Sequence, residues 1–301
     1  MSVIEIKNLT KDYGQGRGVF DVSFHVKEGE VLGFLGPNGA GKTTTIRQLM
    51  GFIKPDSGSL SIRGMDCFKQ ADVIERSLGY LPGEIAFMDS MSGMEFIRFI
   101  SRMKKMDDLG RAPELMERFE LMADGKIKKM SKGMKQKIGI VCAFMQDPDI
   151  LILDEPTSGL DPLMQNKFVE LILQEKDRGK TILMSSHMFE EVEKTCDRAA
   201  IIREGKLVAV EDMEKLRSNK QKIVEFTFET AGMASEFASK LPRSQTNGRT
   251  VVSKVGRDID VFIKTAGQYT VKDLSIRTQS LEEFFMHFYG GEQNDEYNII
   301  S

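Results

Sequence analysis

The sequence predicts an α/β chain: a mostly parallel sheet, a helical insertion and a small α+β appendix. Two patterns carry that prediction. Short apolar runs with the look of buried strands, "VLGFLG", "DILILDEP" and "KTILMSSH", alternate with stretches of helical spacing. The character of the chain then changes twice, over 92–122 and again after about Leu216.

In chain order, "VIEIKNL" and "VFDVSFHVKEGEVLGFLG" alternate apolar and polar residues and read as strands. The last run, Val31 to Leu35, becomes continuously apolar and stops at Gly36. "KTTTIRQLMGF" follows as a helix ending near Gly51, and "IKPDSGSLSIRG" returns to turn and strand. In the insertion, "SGMEFIRFISRMKKM" places Phe96, Phe99, Ile100 and Met103 on one helical face, with Ser92 and Glu95 at capping-box spacing. "APELMERFELM" is a second helix, opened by Pro113. "SKGMKQKIGIVCAFM" is a Gly-containing turn running into a third, with Ile138, Val141, Cys142 and Met145 on one face. "DILILDEP" precedes a helix from about Pro162. "KTILMSSH" is a buried strand, "MFEEVEKTC" a helix and "RAAIIREGKLVAVED" a hairpin. In the appendix "KIVEFTFET" and "DIDVFIK" alternate as strands. "SLEEFFMHFYGG" reads as a capped helix, with Ser280 and Glu283 at its start and Gly290 and Gly291 at its end. Its apolar face is Leu281, Phe284, Phe285 and Phe288. The expected domains are 1–218 and 219–301.

The bulk numbers exclude several classes. The 301 residues suffice for one large domain or two ordinary ones, and 41% apolar with 29% charged residues is a globular composition. A net charge of −3 gives no electrostatic reason to expect nucleic acid. Cys67, Cys142 and Cys196 are scattered and make no CxxC pair, so neither a metal site nor a disulfide framework is expected. "MSVIEIKNLT" reads as a strand rather than a signal peptide. No apolar run approaches the roughly 18 residues that cross a bilayer, so any work at a membrane is expected to go through a partner.

"GPNGAGKT", Gly36 to Thr43, has G-x-x-x-x-G-K-[ST] spacing between a buried strand and a helix. Glycines there let backbone N–H groups wrap phosphate oxygens. Lys42 is placed to reach β- and γ-phosphates, and the Thr43 hydroxyl to ligate Mg²⁺. "ILILDEP" ends an apolar strand on two carboxylates, a costly placement without compensation. Mg²⁺ near Asp154 supplies one compensation and leaves Glu155 to act as general base on a water. His187 closes a strand expected beside the phosphate strand, where ligands bind in open α/β sheets, which gives it a role at the γ-phosphate. Ser131 and Gly133 open the third helix of the insertion, and a helix N-terminus also suits an anion. One chain thus carries two phosphate elements.

In order, "GPNGAGKTT", "MSKGMKQK", "LILDEPTSGLD" and "SSH" resemble the ATP-binding subunit of an ABC transporter, over residues 1 to about 218. Within that family "SKGMKQK" and "SLEEFFMHFYGG" most resemble bacterial exporters of the ABC-2, multidrug type. The resemblance implies a P-loop NTPase core with an antiparallel β subdomain and a helical subdomain at about 88–145. It implies ATP and Mg²⁺, with Lys42, Glu155 and His187 catalytic and Thr43 and Asp154 on the metal. Nucleotide contacts would come from Tyr13, Gly36, Pro37, Asn38, Gly39, Ala40, Gly41, Lys42, Thr43 and Thr44. Tyr13 would stack on adenine and Thr44 touch the α-phosphate. Subunits of this family pack head to tail, which explains the second element: Ser131 and Gly133 of one would close on the γ-phosphate held by the other, with Asp161 in the crossing loop. The implied partners are a second copy in the ATP state and an integral membrane permease, docked on 92–122 and the loop 80–90. The implied place is cytoplasmic, peripheral on the inner face of the cell membrane, with no transmembrane segment in the chain and no nucleic acid.

Two departures from the family pattern stand out. After Pro82, where glutamine is usual, the chain has Gly83 and then Glu84; either Glu84 substitutes or water fills the gap. Lys132 and Met134 replace the usual glycine and glutamine of the signature, and Lys132 either adds charge near the site or is simply solvated. Two other readings are a soluble, non-transport ABC ATPase and a regulatory module that holds ATP without turnover. The first would want a second ATP domain or a heptad run; Glu155 argues against the second. The appendix would support dimerisation, regulate the cycle, or act as a structural cap.

Overall fold

The computed structural model describes residues 1–219, 221–241, 244–255, 259–280 and Glu283. The chain forms two compact units, Met1–Met213 and Glu214–Ser301. The first opens on β1 (Ser2–Asp12), β2 (Gly18–Lys27) and β3 (Val31–Leu35), followed by α1 (Lys42–Leu49), β4 (Ser57–Ile62) and β5 (Met65–Asp66). The strands β2-β1-β4-β5 make an antiparallel sheet whose buried Ile4, Ile6, Leu9, Val22 and Ile62 share one core with Phe34 and α1. Next come α2 (Ala71–Ser77), β6 (Leu78–Leu81), α3 (Gly93–Met103), α4 (Ala112–Arg118), α5 (Lys132–Phe144) and β7 (Ile150–Asp154). The unit closes with α6 (Pro162–Asp177), β8 (Thr181–Ser186), α7 (Phe189–Thr195), β9 (Arg198–Arg203) and β10 (Lys206–Asp212), and α8 (Met213–Asn219) spans the division.

The second sheet runs β10-β9-β3-β8-β7-β6, parallel except for the antiparallel edge strand β10. Every residue of β3, β7 and β8 is buried, which is why these strands read as continuous apolar runs rather than alternations. This is the expected core, with its antiparallel β subdomain and its helical insertion.

Two faces differ from expectation. On α3 the buried positions are Gly93, Phe96, Ile97 and Ser101, while Met103 is 65% exposed. The stripe is turned because Gly93 lies against Ala123 and Ile138, so the helix approaches α5 along its glycine side. The Ser92–Glu95 capping box forms with both bonds. On α5, burial extends to Gln136, Gly139 and Ile140 as well as Ile138 and Val141, and Cys142 is only half-buried; the helix is enclosed on most sides rather than along one stripe.

The second unit runs β11 (Lys222–Phe228), α9 (Ala231–Ser239), β12 (Ser244–Asn247), β13 (Thr250–Val255), α10 (Ile259–Ala266) and β14 (Val271–Thr278). Its sheet, β12-β13-β11-β14, is antiparallel throughout, and the βαββαβ order is the split-βαβ arrangement. Val224, Phe226, Phe228, Phe237 and Phe262 fill its core. The strand expected at "DIDVFIK" is instead α10. Ile259, Phe262 and Ala266 meet the core at helical spacing while Val261 and Ile263 are about half exposed. So short an apolar alternation fits either element; what decides is that β13 and β14 both run antiparallel to β11 and hence parallel to each other, so the chain must recross the sheet between them. Of the expected capped helix, the cap is present: Ser280 N donates to Glu283 Oε2 at 2.9 Å and Glu283 N to Ser280 Oγ at 3.1 Å. Leu281, Phe284, Phe285, Phe288, Gly290 and Gly291 lie outside the described residues.

Candidate functional site

Strand register builds the site. Leu35 pairs with Ser186 and Asp154 with Ser185, so β3, β8 and β7 end side by side at their C-terminal edge. The residues that follow them, Gly36, His187 and Glu155, therefore meet.

After β3 the loop 36–41 turns into α1. It lies tight on the sheet: a Cβ on Gly36 would come within 2.3 Å of Ile202 O. Gly41 has φ 110 and would bring a Cβ within 2.6 Å of Val19 Cγ1, so it requires glycine twice over. Pro37, Asn38 and Gly39 are exposed, Ala40 is buried, and Thr43 and Thr44 are half-buried in the first turn of α1. Lys42, 5% exposed, folds back so that Nζ donates to Gly36 O at 2.6 Å and Pro37 O at 3.2 Å.

Asp154 is fully buried at the end of β7. Its Oδ1 accepts from Ser185 Oγ at 2.5 Å, while Oδ2 is buried without a partner. An unpartnered buried carboxylate oxygen is costly, and it is an oxygen of the kind a divalent cation would satisfy. Gly83 borders the same oxygen: a Cβ there would stand 3.0 Å from Oδ2. Glu84 is exposed.

Glu155 sits at φ 50, a left-handed conformation that costs a non-glycine residue about 1 kcal/mol. Its N–H donates to Ser185 Oγ at 2.9 Å, which holds the turn. The side chain then reaches in two directions. Oε2 lies 2.6 Å from His187 Nδ1, and Oε1 lies 3.0 Å from Lys42 Nζ as an ion pair without hydrogen-bond geometry. Lys42, Glu155 and His187 are thus one contiguous group.

The other expected residues lie apart from that group in their bonding. Ser131 Oγ caps α5 by accepting from Met134 N at 3.2 Å, and Gly133 abuts the Gly159 carbonyl, 2.7 Å from where a Cβ would stand. Lys132 is exposed; its Nζ donates to Ser158 Oγ at 2.9 Å and its stem covers Gly159. Gln136 Nε2 donates to Pro156 O at 2.8 Å. Asp161 Oδ1 caps α6 by accepting from Met164 N at 3.0 Å. The start of α5 is therefore fastened to the loop 155–161 of its own chain. Tyr13, 48% exposed, stands at the β1–β2 turn with the Lys11 ammonium 5.9 Å from its ring centre.

Three residues escaped the sequence reading. Ser185 bonds both Asp154 and Glu155; Ser186 Oγ donates at 2.6 Å to Glu191 Oε2; and Glu191 is 5% exposed. Burial, seconded by the nearby Glu155 charge, pushes the Glu191 carboxyl up to about 7 against the Ser186 bond and the facing Thr157 hydroxyl. The only local signal was the pair of serines before His187.

Residues 19–158 match the ABC transporter family. The chain is 32% identical over 302 residues to the Nod factor export ATP-binding protein I of Paraburkholderia xenovorans (strain LB400), covering 98% of this chain and 99% of the relative. It is 38% identical over 228 residues to the bacitracin transport ATP-binding protein BcrA of Bacillus licheniformis, covering 75% and 74%. A solved ATP-binding subunit of an ABC transporter superposes with a TM-score of 0.66 at 32% identity, over 72% of this chain and 92% of that one. A cassette solved as a dimer in a post-hydrolysis state with ADP and phosphate shares the fold, with a TM-score of 0.63 at 24% identity over 70% and 98%. With near-full-length relatives and a phosphate loop, carboxylate pair and histidine on one sheet edge, the chain belongs to the ABC transporter family as one of its ATP-binding, ATP-hydrolysing proteins.

Proposed function

We propose that this chain powers export through a separate membrane permease, with two copies closing head to tail around ATP. The observation that supports it most is the shared Glu155 carboxylate, set between the Lys42 ammonium and the His187 ring. Arriving phosphates would draw Lys42 away from the Gly36 and Pro37 carbonyls and from Glu155. The freed carboxylate, steadied by His187, takes a proton from the water that attacks the γ-phosphorus. The bond from that phosphorus to the bridging oxygen breaks, leaving ADP and phosphate. Mg²⁺, held by Asp154 and Thr43, would supply charge neutralisation on the β- and γ-phosphate oxygens. Gly83 leaves room beside Asp154 for water, while Glu84 faces outward.

Ser131, Gly133 and Asp161 are assigned to the neighbouring copy's nucleotide, and Tyr13 to the adenine. The relatives named for Nod factor export and bacitracin transport support the export reading. No helix among the described residues is long and apolar enough to cross a membrane, which fits a chain that works through a permease on the inner face of the membrane. The docking face would be the loop 80–90 with α3, where a groove of about 690 Å³ runs past Ser90, Arg98, Arg102 and Asp107.

The test is light scattering with size exclusion on Glu155→Gln, with and without Mg-ATP. A dimer only with ATP supports the head-to-tail reading. A monomer that still binds ATP would overturn unaided closure.

A further inference from the structure

Behind the catalytic edge, α7 carries a carboxyl that the hydrolysis scheme leaves unused. Glu191 Oε2 accepts from Ser186 Oγ at 2.6 Å, and the same Oγ accepts from Met188 N at 3.0 Å. Residues 186–188 are thereby a closed turn with His187 at its apex, and its anchor is Glu191. The turn also touches the phosphate loop, because Gly36 N donates to Ser186 O at 3.3 Å. Thr195 Oγ1 donates to Glu191 O at 2.7 Å, which fixes the backbone beneath the anchor.

The anchor is incompletely satisfied. Oε1 of Glu191 is buried with no hydrogen-bond partner, although the Thr157 hydroxyl faces the carboxyl. A buried ionised oxygen without a donor is costly, whereas a proton there would turn it into a donor. A cleft of about 190 Å³ between α6 and α7, bordered by Thr157, Gln165, Met188, Glu190 and Lys194, opens the carboxyl to solvent protons.

We propose that Glu191 is a positioning residue for ATP hydrolysis. Ionised, it holds Ser186 by a charge-assisted bond and so fixes the turn that presents His187 Nδ1 to Glu155. Protonated, it loosens that hold and turnover slows. The inference rests on the role given to His187 above.

The surroundings poise the group. Burial and the Glu155 charge disfavour the ionised form; the Ser186 and Thr157 hydroxyls and the His187 ring favour it, with the outcome about 7. Glu190 and Lys194 offer opposite charges from α7 itself, and α6 presents only uncharged residues to the cleft, Pro162, Gln165, Asn166 and Val169. On α7's far end the Cys196 thiol is kept protonated by burial. Phosphates of a bound nucleotide add negative charge, which moves the titration upward.

The experiment measures phosphate release by the full chain from about pH 5.5 to 9, giving kcat and KM for Mg-ATP. Wild type, Glu191→Gln, Ser186→Ala and His187→Ala are compared, each checked by thermal melting. The expected wild type has a kcat limb rising with pH, with its midpoint at or above about 7. Glu191→Gln and Ser186→Ala should each lower kcat at pH 8 about tenfold, leave KM within about twofold, and flatten that limb. A limb in Glu191→Gln that superimposes on wild type overturns the proposal, as does a change in KM alone. If Glu191→Gln does not fold, Ser186→Ala decides, since it cuts the link and keeps the carboxyl. His187→Ala separates the two layers. Unchanged kcat there removes the histidine's role and this inference with it. Lowered kcat there, beside wild-type profiles in the other two, removes only the positioning role.

Discussion

Glu155 Oε2 and His187 Nδ1 stand 2.6 Å apart across the ends of neighbouring strands, while the other Glu155 oxygen lies 3.0 Å from Lys42 Nζ. The carboxylate is oriented by one neighbour and charge-paired with the other. Glu155→Gln removes both the base and the pairing. Turnover should fall at least about 100-fold, the range for losing a positioned general base. ATP affinity should hold or rise, because Lys42 loses a competing anion. Phosphate release and equilibrium nucleotide binding check the two halves; wild-type turnover in the variant would remove Glu155 as base.

Gly83 tests the metal assignment. A Cβ there would stand 3.0 Å from Asp154 Oδ2 and 3.3 Å from its Cγ. Gly83→Ala should therefore crowd whatever binds that oxygen. The Mg²⁺ concentration for half-maximal turnover should rise about tenfold, as for other changes beside metal ligands. Metal-free nucleotide binding should be unchanged. A Mg²⁺ titration identical to wild type would place the cation elsewhere.

Glu191 makes stability depend on pH in an unusual direction. Its folded value is about 7 against 4.5 for an ordinary glutamate, so between them the folded chain binds the extra proton. Its stabilising contribution is complete below about 4.5 and is lost as pH rises through about 7. Glu191→Gln should thus melt close to wild type at pH 5. By pH 8.5 it should be more stable, by up to about 3 kcal/mol. A melting difference that is flat with pH would contradict the raised value.

Arg111, at the start of α4, donates to Glu175 of α6 at 2.6 Å and to Asp147 at 3.2 Å. The Glu175 side chain is 2% exposed, and its other oxygen is held by Arg178 at 2.9 Å. Arg111→Ala leaves a buried carboxylate half-paired and should lower unfolding stability by about 2–3 kcal/mol. The denaturant midpoint measures this, and a loss below about 0.5 kcal/mol would mean that Arg178 suffices.

Local features of this protein were legible in its sequence. The phosphate loop is written in adjacent glycines, the capping box at Ser92 and Glu95 in a three-residue spacing, and the strands β3, β7 and β8 in unbroken apolar runs. Each is decided by neighbours within a turn or a strand length, so the chain fixes it before it packs. Tertiary structure decided the rest. "DIDVFIK" is a helix because the recrossing between β13 and β14 demands one, and Met103 faces out because Gly93 sets how α3 lies on α5. The bridge of Ser185 to Asp154 and Glu155, the Lys132–Ser158 bond, Gly83 beside Asp154 and the burial of Glu191 all join residues through strand register and packing. The sequence by itself determined which groups do chemistry with phosphate. Only the fold decided which groups hold them in place, because the parallel register of β3, β8 and β7 brings together residues far apart along the chain.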